Sequence, residues 1–168
     1  MGSDALAGVA DVVSAVVIRP ATPRDLPEVL EIERAVFSDP WSPDSFEPEF
    51  TDEYGFFHVA ELNGAVVGYV IARIVARQGE IANIAVAPSH RGTGIGGQLL
   101  DAAIVASDAG QCEAVWLEVR VSNDAARRLY TSRGFELIGR RKRYYRLPVE
   151  DALVLRRDPV AIEAPAPK

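Results

Sequence analysis

Apolar residues along this chain recur in two spacings, every second residue and every third or fourth, and segments with the two spacings alternate. Apolar, β-branched runs with the shorter spacing predict seven strands, over residues 15–19, 56–62, 65–76, 80–86, 113–120, 135–146 and 151–156. Helical spacing predicts three helices and a short fourth one, over residues 22–37, 94–107, 123–133 and, for the short one, within 41–50. The order β-α-α-β-β-β-α-β-α-β-β indicates a mixed α/β fold.

Turn-forming residues separate these segments and set some of their pairings. Asn63-Gly64, between two β-branched runs, is the strongest short-range signal for a hairpin, so the strands on either side should pair antiparallel. Pro88 should close the strand before it, because proline has no backbone N–H to donate. Gly110 and Gly134 follow two of the helices at positions that are typical of helix ends.

The two ends of the chain lack these patterns. Residues 1–14 are small and weakly patterned, so we expect a flexible segment there. Residues 158–168 finish in an alternation of Ala with Pro that supports neither a helix nor a packed strand, which predicts a disordered tail. The folded domain is therefore expected over residues 15–157, and no internal repeat divides it.

Composition narrows the functional classes. Lys and Arg number 18 against 24 Asp and Glu, a net charge of -6 that disfavours binding to nucleic acid and suits a cationic substrate. The sequence has neither a membrane-spanning apolar stretch nor a basic, apolar leader, so we expect a soluble, cytoplasmic protein. Cys112 is the single cysteine, and with His58 and His90 as the two histidines an internal disulfide or a dedicated zinc site is not expected.

A glycine-rich segment, residues 91–97, lies between a predicted strand and a predicted helix. Glycines let the backbone approach a ligand closely, and the first turn of a helix presents free N–H groups and a partial positive charge. This arrangement can bind a pyrophosphate. The spacing is not that of the dinucleotide-binding motif, and no Lys-Ser or Lys-Thr follows as in nucleoside-triphosphatases. The glycines by themselves fit a flexible loop before a capped helix equally well.

The flanking residues extend this motif into a family resemblance. Arg91-x-x-Gly94-x-Gly96, with Ile84-Ala85-Val86-x-Pro88 before it and Leu99-Leu100 after it, resembles the coenzyme A motif of the GNAT superfamily of N-acetyltransferases. The resemblance implies a mixed sheet of about seven strands flanked by about four helices, with acetyl-CoA as co-substrate. It implies that the pantetheine and thioester meet the backbone of Ile84, Ala85 and Val86. The phosphates would then be surrounded by Gly92, Thr93, Gly94, Ile95, Gly96 and Gly97.

Two further segments narrow the resemblance within that superfamily. One is Trp116-Leu117-Glu118-Val119-Arg120-Val121-Ser122-Asn123 with Ala125-Ala126-Arg127-Arg128-Leu129-Tyr130 and Gly134-Phe135. The other is Glu33-x-x-x-Phe37-x-x-Pro40-Trp41-Ser42. Both resemble the ribosomal-protein-alanine N-acetyltransferases. The implied reaction is transfer of acetyl to the N-terminal alanine of a small-subunit ribosomal protein.

Acetyl transfer to an amine needs a base for the amine and an acid for the departing thiolate. Strand alternation puts Glu118 on one face with Trp116 and Arg120, where it could serve as the base or pair with Arg120 or Arg73 on a solvated surface. The matching Glu of the resembled enzymes implies the base. Tyr130 on pattern alone is an ordinary half-buried aromatic of a helix, and the resemblance implies that it is the acid.

Other residues have two interpretations each. Asn123 could cap the helix after it, contact the coenzyme arm as the resemblance implies, or do both. The candidates for the walls of a slot for the acceptor N-terminus, which could equally be core residues, are Phe37, Trp41, Tyr144 and Tyr145. Glu33 and Asp39 add negative charge near Trp41, although solvated helix acids would explain them as well.

Alternative functions remain open at this stage. An α-amine has a pKa of about 8 against about 10.4 for lysine, so a protein N-terminus is the easier nucleophile to deprotonate. Acetylation of other N-termini, of lysine or of a small-molecule amine would use the same donor motif. An acyl-CoA-binding regulator without turnover would need only that motif. Cys112 lies outside all the motifs, which favours direct attack over a covalent intermediate.

Overall fold

The computed structural model describes residues 15–160 and Pro167. Its strands are β1 (Val17–Pro20), β2 (Gly55–Leu62), β3 (Ala65–Val75), β4 (Gln78–Val86), β5 (Ala114–Arg120), β6 (Glu136–Tyr145) and β7 (Glu150–Arg157). Its α-helices are α1 (Leu26–Val36), α2 (Pro43–Phe46), α3 (Ile95–Ala109) and α4 (Asp124–Ser132). The predicted order of elements is confirmed, with boundaries shifted by one to four residues. The predicted flexible segment 1–14 and most of the predicted tail lie outside the described residues.

The strands form one sheet in the order β1-β2-β3-β4-β5-β7-β6. Every neighbouring pair is antiparallel except β4 and β5, which run parallel. Those two strands pair only from Gln78 with Ala114 to Glu80 with Trp116, although β4 continues to Val86 and β5 to Arg120. The sheet therefore opens between the later halves of its two central strands.

A β-bulge lies on the β4 side of this opening. Ile71 of β3 faces Asn83, whereas the next residue, Ala72, faces Ile81, so Ala82 is an extra residue in β4. A bulge bends its strand and redirects the side chains around it. The last residues of β4, which include Ile84, consequently lead away from β5 and towards the start of α3.

Helices cover both faces of the sheet. On one face α3 and α4 pack against the strands, and buried residues there include Leu99, Leu100, Leu117 and Phe135. On the other face α1 and α2 form a second cluster, whose buried residues include Val29, Ile32, Phe46 and Tyr69. Full burial of one such side chain contributes about 1.5–3 kcal/mol, so both layers stabilise the sheet that carries the opening.

Local chemistry explains several element ends. Asn63 and Gly64 adopt φ of 52° and 79°, as the predicted two-residue hairpin between β2 and β3 requires. A 3-10 turn, Pro23–Asp25, leads into α1, and the Asp25 carboxylate accepts the Thr22 N–H at 2.8 Å. Within the part of the chain that the structure describes, no helix is long and apolar enough to cross a membrane.

Candidate active site

The glycine-rich turn before α3 has the backbone that an anion site requires. Gly92 and Gly94 have φ of 76° and 86°, the left-handed region, and a Cβ on either would meet nothing within 4 Å. Glycine is therefore needed there for conformation. The Gln98 N–H donates to the Gly94 carbonyl at 3.1 Å, so the N–H groups of the first helical turn precede this bond and have no acceptor within the helix. With no acidic side chain in that turn, these donors suit a phosphate.

The remaining residues of the turn hold it against the sheet. The Thr93 hydroxyl donates to the His90 carbonyl at 2.6 Å and closes the loop. A Cβ at Gly96 would lie 3.5 Å from Leu129 and 3.6 Å from Val86, so α3, α4 and the end of β4 pack closely around it. The Arg133 guanidinium lies over Gly97.

The residues predicted to meet the pantetheine and thioester lie along the open edge of β4. Ala85 is buried, and Ile84 and Val86 are half-buried. All three come after Glu80, the last β4 residue that pairs with β5. Backbone groups on that side of the strand are consequently free to bond an extended ligand arm.

Glu118 lies on the opposite side of the opening, on β5. Leu117 and Val119 are buried beneath it, as strand alternation predicts, whereas the Glu118 side chain is 20% exposed. Its Oε1 lies 3.5 Å from Nε of Arg141 on β6. The predicted partners were wrong, because Arg120 pairs with Glu150 and Arg73 pairs with Glu49.

Two tyrosines at the end of β6 border the same carboxylate. The rings of Tyr144 and Tyr145 meet edge to face with centroids 5.0 Å apart, and the Arg120 guanidinium lies 4.4 Å from the centre of the Tyr145 ring. Burial, followed by the nearby Tyr144 and Glu118, raises the pKa of Tyr145 to about 12. Burial and Glu118 also raise the pKa of Tyr144. Arg141 joins Glu118 and the two tyrosines in one cluster, because it pairs with Glu118 and its guanidinium lies 5.6 Å from the centre of the Tyr144 ring.

Tyr130, on α4, belongs to the core on the face of the sheet where Leu117 and Val119 are buried. It is 6% exposed, more deeply buried than the sequence predicts, and its ring packs edge to face on Phe135 at 5.8 Å. Burial and then the charge of Tyr145 raise its pKa well above the ordinary value. The phenol is therefore protonated at neutral pH, which is the state that a proton donor requires.

The other two predicted wall residues lie in the loop between α1 and α2. The half-buried Trp41 packs on Phe46 with ring centroids 5.2 Å apart, and Phe37 packs on the core beneath. The side chain of Arg146, in the turn between β6 and β7, lies 3.0 Å from the Asp39 carboxylate. This ion pair connects the loop that carries Trp41 to the turn that follows Tyr145.

Glu33 of α1 lies next to Trp41, and the sequence left the environment of its carboxylate open. Its side chain is 1% exposed, so the interpretation as a solvated helix acid was wrong. Its carboxylate accepts the Trp41 N–H at 2.9 Å, an Asn83 amide N–H at 3.1 Å and the Tyr69 hydroxyl. One signal was present, since Glu33 lies one turn after Val29 on the apolar side of α1. Nothing in the local pattern pointed to Tyr69 or Asn83.

Side-chain contacts show the structural roles of Asn123 and of two residues in a basic run, Arg140-Arg141-Lys142-Arg143. The Asn123 side chain accepts the Ala126 N–H at 3.2 Å, which confirms its predicted role as a helix cap, while a contact with coenzyme stays a prediction. In the basic run, residues 140–143, Arg140 pairs with Asp151 at 2.6 Å and Arg141 pairs with Glu118. This run therefore contributes one cation directly to the site.

The sequence and the fold of this chain are similar to those of known proteins. The sequence profile of the Acetyltransferase (GNAT) family matches residues 26–135, the stretch from α1 to the end of the α4 region. The chain belongs to this family. The mixed α/β fold predicted from the resemblance, with a seven-stranded sheet, is confirmed.

Relatives of this chain include proteins named as an N-alpha-acetyltransferase and as a ribosomal-protein-alanine N-acetyltransferase. N-alpha-acetyltransferase RimI of Mycobacterium tuberculosis is 37% identical over 149 residues, which cover 85% of this chain and 92% of that protein. The ribosomal protein bS18-alanine N-acetyltransferase of Escherichia coli K12 is 34% identical over 133 residues, 78% of this chain and 89% of that protein. The crystal structure of the Escherichia coli ribosomal-protein-S18-alanine N-acetyltransferase superposes with a TM-score of 0.81 and 29% identity, covering 92% of this chain and 99% of that chain.

Proposed function

We propose that this chain transfers acetyl from acetyl-CoA to the N-terminal α-amine of a protein, with the N-terminal alanine of the small-subunit ribosomal protein bS18 as acceptor. The observation that carries the proposal is the opening of the sheet. On one side β4 leads into the glycine-rich turn, and on the other β5 presents Glu118 to the tyrosine cluster. Relatives at 34% and 37% identity act on this class of amine.

Glu118 acts as the general base in this proposal. Its carboxylate removes a proton from the acceptor ammonium, directly or through one water, so that the neutral amine can attack the thioester carbonyl. Arg141 balances its charge and holds the carboxylate beside Tyr144 and Tyr145. Free N–H groups along the β4 edge at Ile84–Val86 are available to stabilise the developing oxyanion.

Tyr130 acts as the general acid. When the tetrahedral intermediate collapses, the C–S bond breaks and the departing thiolate takes the phenolic proton. The second proton that the acceptor nitrogen loses on becoming an amide restores the phenol, directly or through water. Burial keeps the phenol protonated until the thiolate departs, and it also favours the neutral thiol over the charged thiolate. The products are the N-acetylated chain and free coenzyme A.

A covalent route through cysteine is disfavoured. Cys112 is buried at 5% exposure between α3 and β5, away from Glu118 and the glycine-rich turn. Burial, and then the charge of Asp108, raises the pKa of its thiol, which lowers the fraction of reactive thiolate. Direct attack by the amine explains the site without it.

The charge distribution supports a basic acceptor chain. Residues 39–53 contain six acidic and no basic side chains, so the remaining acids and bases of the whole chain are equal in number. This acidic segment includes Trp41 and continues through α2. Asp39 and Glu49 of this segment pair with Arg146 and Arg73. The exposed acids Asp44, Glu47 and Glu53 would attract an N-terminus followed by Arg or Lys. A ribosomal acceptor also places the reaction in the cytoplasm.

Mass spectrometry of acetylated peptides tests the proposal. The panel contains the bS18 N-terminus of the host, the same peptide with Met or Ser first, and a version with a blocked N-terminus and a free internal lysine. We expect acetylation at the α-amine of the Ala peptide and none on the blocked one. Equal rates for all N-termini, or acetylation of lysine or of a small amine alone, would refute the assigned acceptor. Absence of turnover with every amine would favour an acyl-CoA-binding regulator.

A further inference from the structure

One buried carboxylate connects the acceptor side of the site to the donor side. Glu33, on α1, accepts hydrogen bonds from three different segments, through Trp41 N–H, Tyr69 O–H and an Asn83 amide N–H. Trp41 belongs to the loop between α1 and α2, residues 37–42, which we call the acceptor loop because the proposed acceptor slot includes Phe37 and Trp41. Asn83 directly precedes Ile84, the first residue of the β4 edge predicted to meet the thioester.

We infer that Glu33 is a positioning residue, which fixes the acceptor loop at Trp41 relative to the thioester-binding end of β4. The inference deepens the proposed function, because it assigns the element that sets the distance between amine and thioester. The distance between the acceptor amine nitrogen and the thioester carbonyl carbon matters strongly, since a misplacement of about 1 Å can lower the rate roughly 10²-fold.

The geometry excludes a role for Glu33 as the base. Its side chain is 1% exposed, and its oxygens already accept bonds from Trp41, Tyr69 and Asn83. A base must present a free lone pair to the acceptor amine, as the 20% exposed Glu118 does. Glu33 therefore acts through the residues that it holds.

Two of the groups that donate to Glu33, the Asn83 amide and the Tyr69 hydroxyl, are also hydrogen-bonded to each other. The Asn83 amide donates to the Tyr69 oxygen at 3.1 Å as well as to Glu33, and the Tyr69 hydroxyl donates to Glu33. Tyr69 is completely buried, and burial with the adjacent Glu33 charge keeps its phenol protonated. The bulge at Ala82 turns Asn83 into this position. Two strands and one loop thus share a single acceptor.

The test is the effect of Glu33→Gln on the two substrates separately. Glutamine keeps the size of the side chain but has one acceptor oxygen in place of two. Its NH2 group cannot accept a hydrogen bond, so some of the three donors lose their acceptor. We expect kcat/KM for the acceptor peptide to fall roughly 10- to 100-fold, while the KM and binding affinity of acetyl-CoA change by less than about twofold. Tyr69→Phe should show the same pattern more weakly, because it removes one donor and retains the packed ring.

Asp25→Asn is the matched control. Asp25 is another buried carboxylate near α1, and it is bonded to Arg19 outside the opening. This variant should lose thermal stability and keep both kinetic parameters, which separates loss of stability from loss of positioning. If Glu33→Gln does not fold, Tyr69→Phe decides by the same comparison.

A second readout does not depend on turnover. In a Trp116→Phe background the remaining tryptophan is Trp41. Glu33→Gln should make the Trp41 fluorescence more accessible to acrylamide, and Asp25→Asn should not.

Two results would overturn the inference. One is an unchanged peptide kcat/KM in Glu33→Gln despite lowered stability, and the other is a rise in acetyl-CoA KM equal to the loss for the peptide. If the enzyme prefers an N-terminus other than alanine, the same comparison is made with that peptide. A failure of the proposed acceptor can therefore be distinguished from a failure of the positioning role of Glu33.

Discussion

Strand alternation determines which face of β5 carries Glu118, and a residue distant in the sequence, Arg141, is its ion-pair partner. With Leu117 and Val119 buried on the other face of β5, the carboxylate must lie on the face towards the tyrosines. Arg141 comes from β6, which is separated from β5 in the sheet by β7. The face was predictable from seven residues of sequence, whereas the partner required the whole sheet.

Replacement of Glu118 by Gln tests the base at the residue scale. We expect kcat to fall roughly 10²–10⁴-fold, because the amide cannot take a proton from the acceptor ammonium. Acetyl-CoA affinity, measured by calorimetry, should stay nearly unchanged because the donor turn is intact.

Glu113→Gln provides the comparison for this prediction. Glu113 directly precedes β5, its side chain is 56% exposed, and it pairs with Arg77 away from the opening. Its kcat should equal that of the wild type. Equal activity of Glu118→Gln and Glu113→Gln would remove Glu118 as the base.

The turn before α3 is the element that the sequence described best. Positive φ at Gly92 and Gly94 and the free N–H groups of the first turn follow from the glycine spacing and from helix geometry. The parting of β4 from β5, which gives the ligand arm access, is not encoded in any short segment. It follows from the bulge at Ala82 and the packing of helices on both faces.

At the element scale, Gly94→Ala should weaken acetyl-CoA binding. An L-residue at φ of 86° costs about 1–2 kcal/mol, and relaxation of that strain moves the N–H groups of the turn. We expect the KM for acetyl-CoA to rise roughly 10-fold and the KM for peptide to change little.

Gly64→Ala is the control for Gly94→Ala, because it should cost a similar conformational free energy at a positive φ. Gly64 has φ of 79°, a Cβ there also meets nothing within 4 Å, and it lies in the β2–β3 hairpin. Both variants should lose similar stability, with the KM effect confined to Gly94→Ala. A similar acetyl-CoA KM in the two variants would contradict the assignment of the turn.

Stability of the whole molecule depends partly on a half-buried ion pair between Arg19 and Asp25, which joins β1 to the start of α1. The Asp25 carboxylate accepts hydrogen bonds from two Arg19 nitrogens, at 2.8 Å each, and from the Thr22 N–H. The hydrogen bond from Arg19 is the largest cause that lowers the pKa of Asp25. Because the folded pKa lies below the unfolded value of about 3.9, this stabilisation is complete above that pH and is lost as the pH falls through the folded pKa.

Asp25→Asn should therefore be destabilised at neutral pH by about 1–3 kcal/mol, with the difference from wild type shrinking below about pH 4. Urea unfolding between pH 3 and 7 measures this. Asp158→Asn, which removes an exposed pair with Arg156, should match the wild type throughout. A difference for Asp25→Asn that grows with acid would show that the sign is wrong.

The sequence by itself determined the order of elements, the Asn63-Gly64 hairpin, the glycine-rich turn and the face of Glu118, because each depends on periodicity or on φ within a few residues. Tertiary structure alone decided which groups donate to the Glu33 carboxylate, since Tyr69 and Asn83 are 36 and 50 residues away in the chain. It also selected Arg141 as the partner of Glu118. Contacts of this kind depend on sheet order and register, which long-range packing sets and local pattern does not.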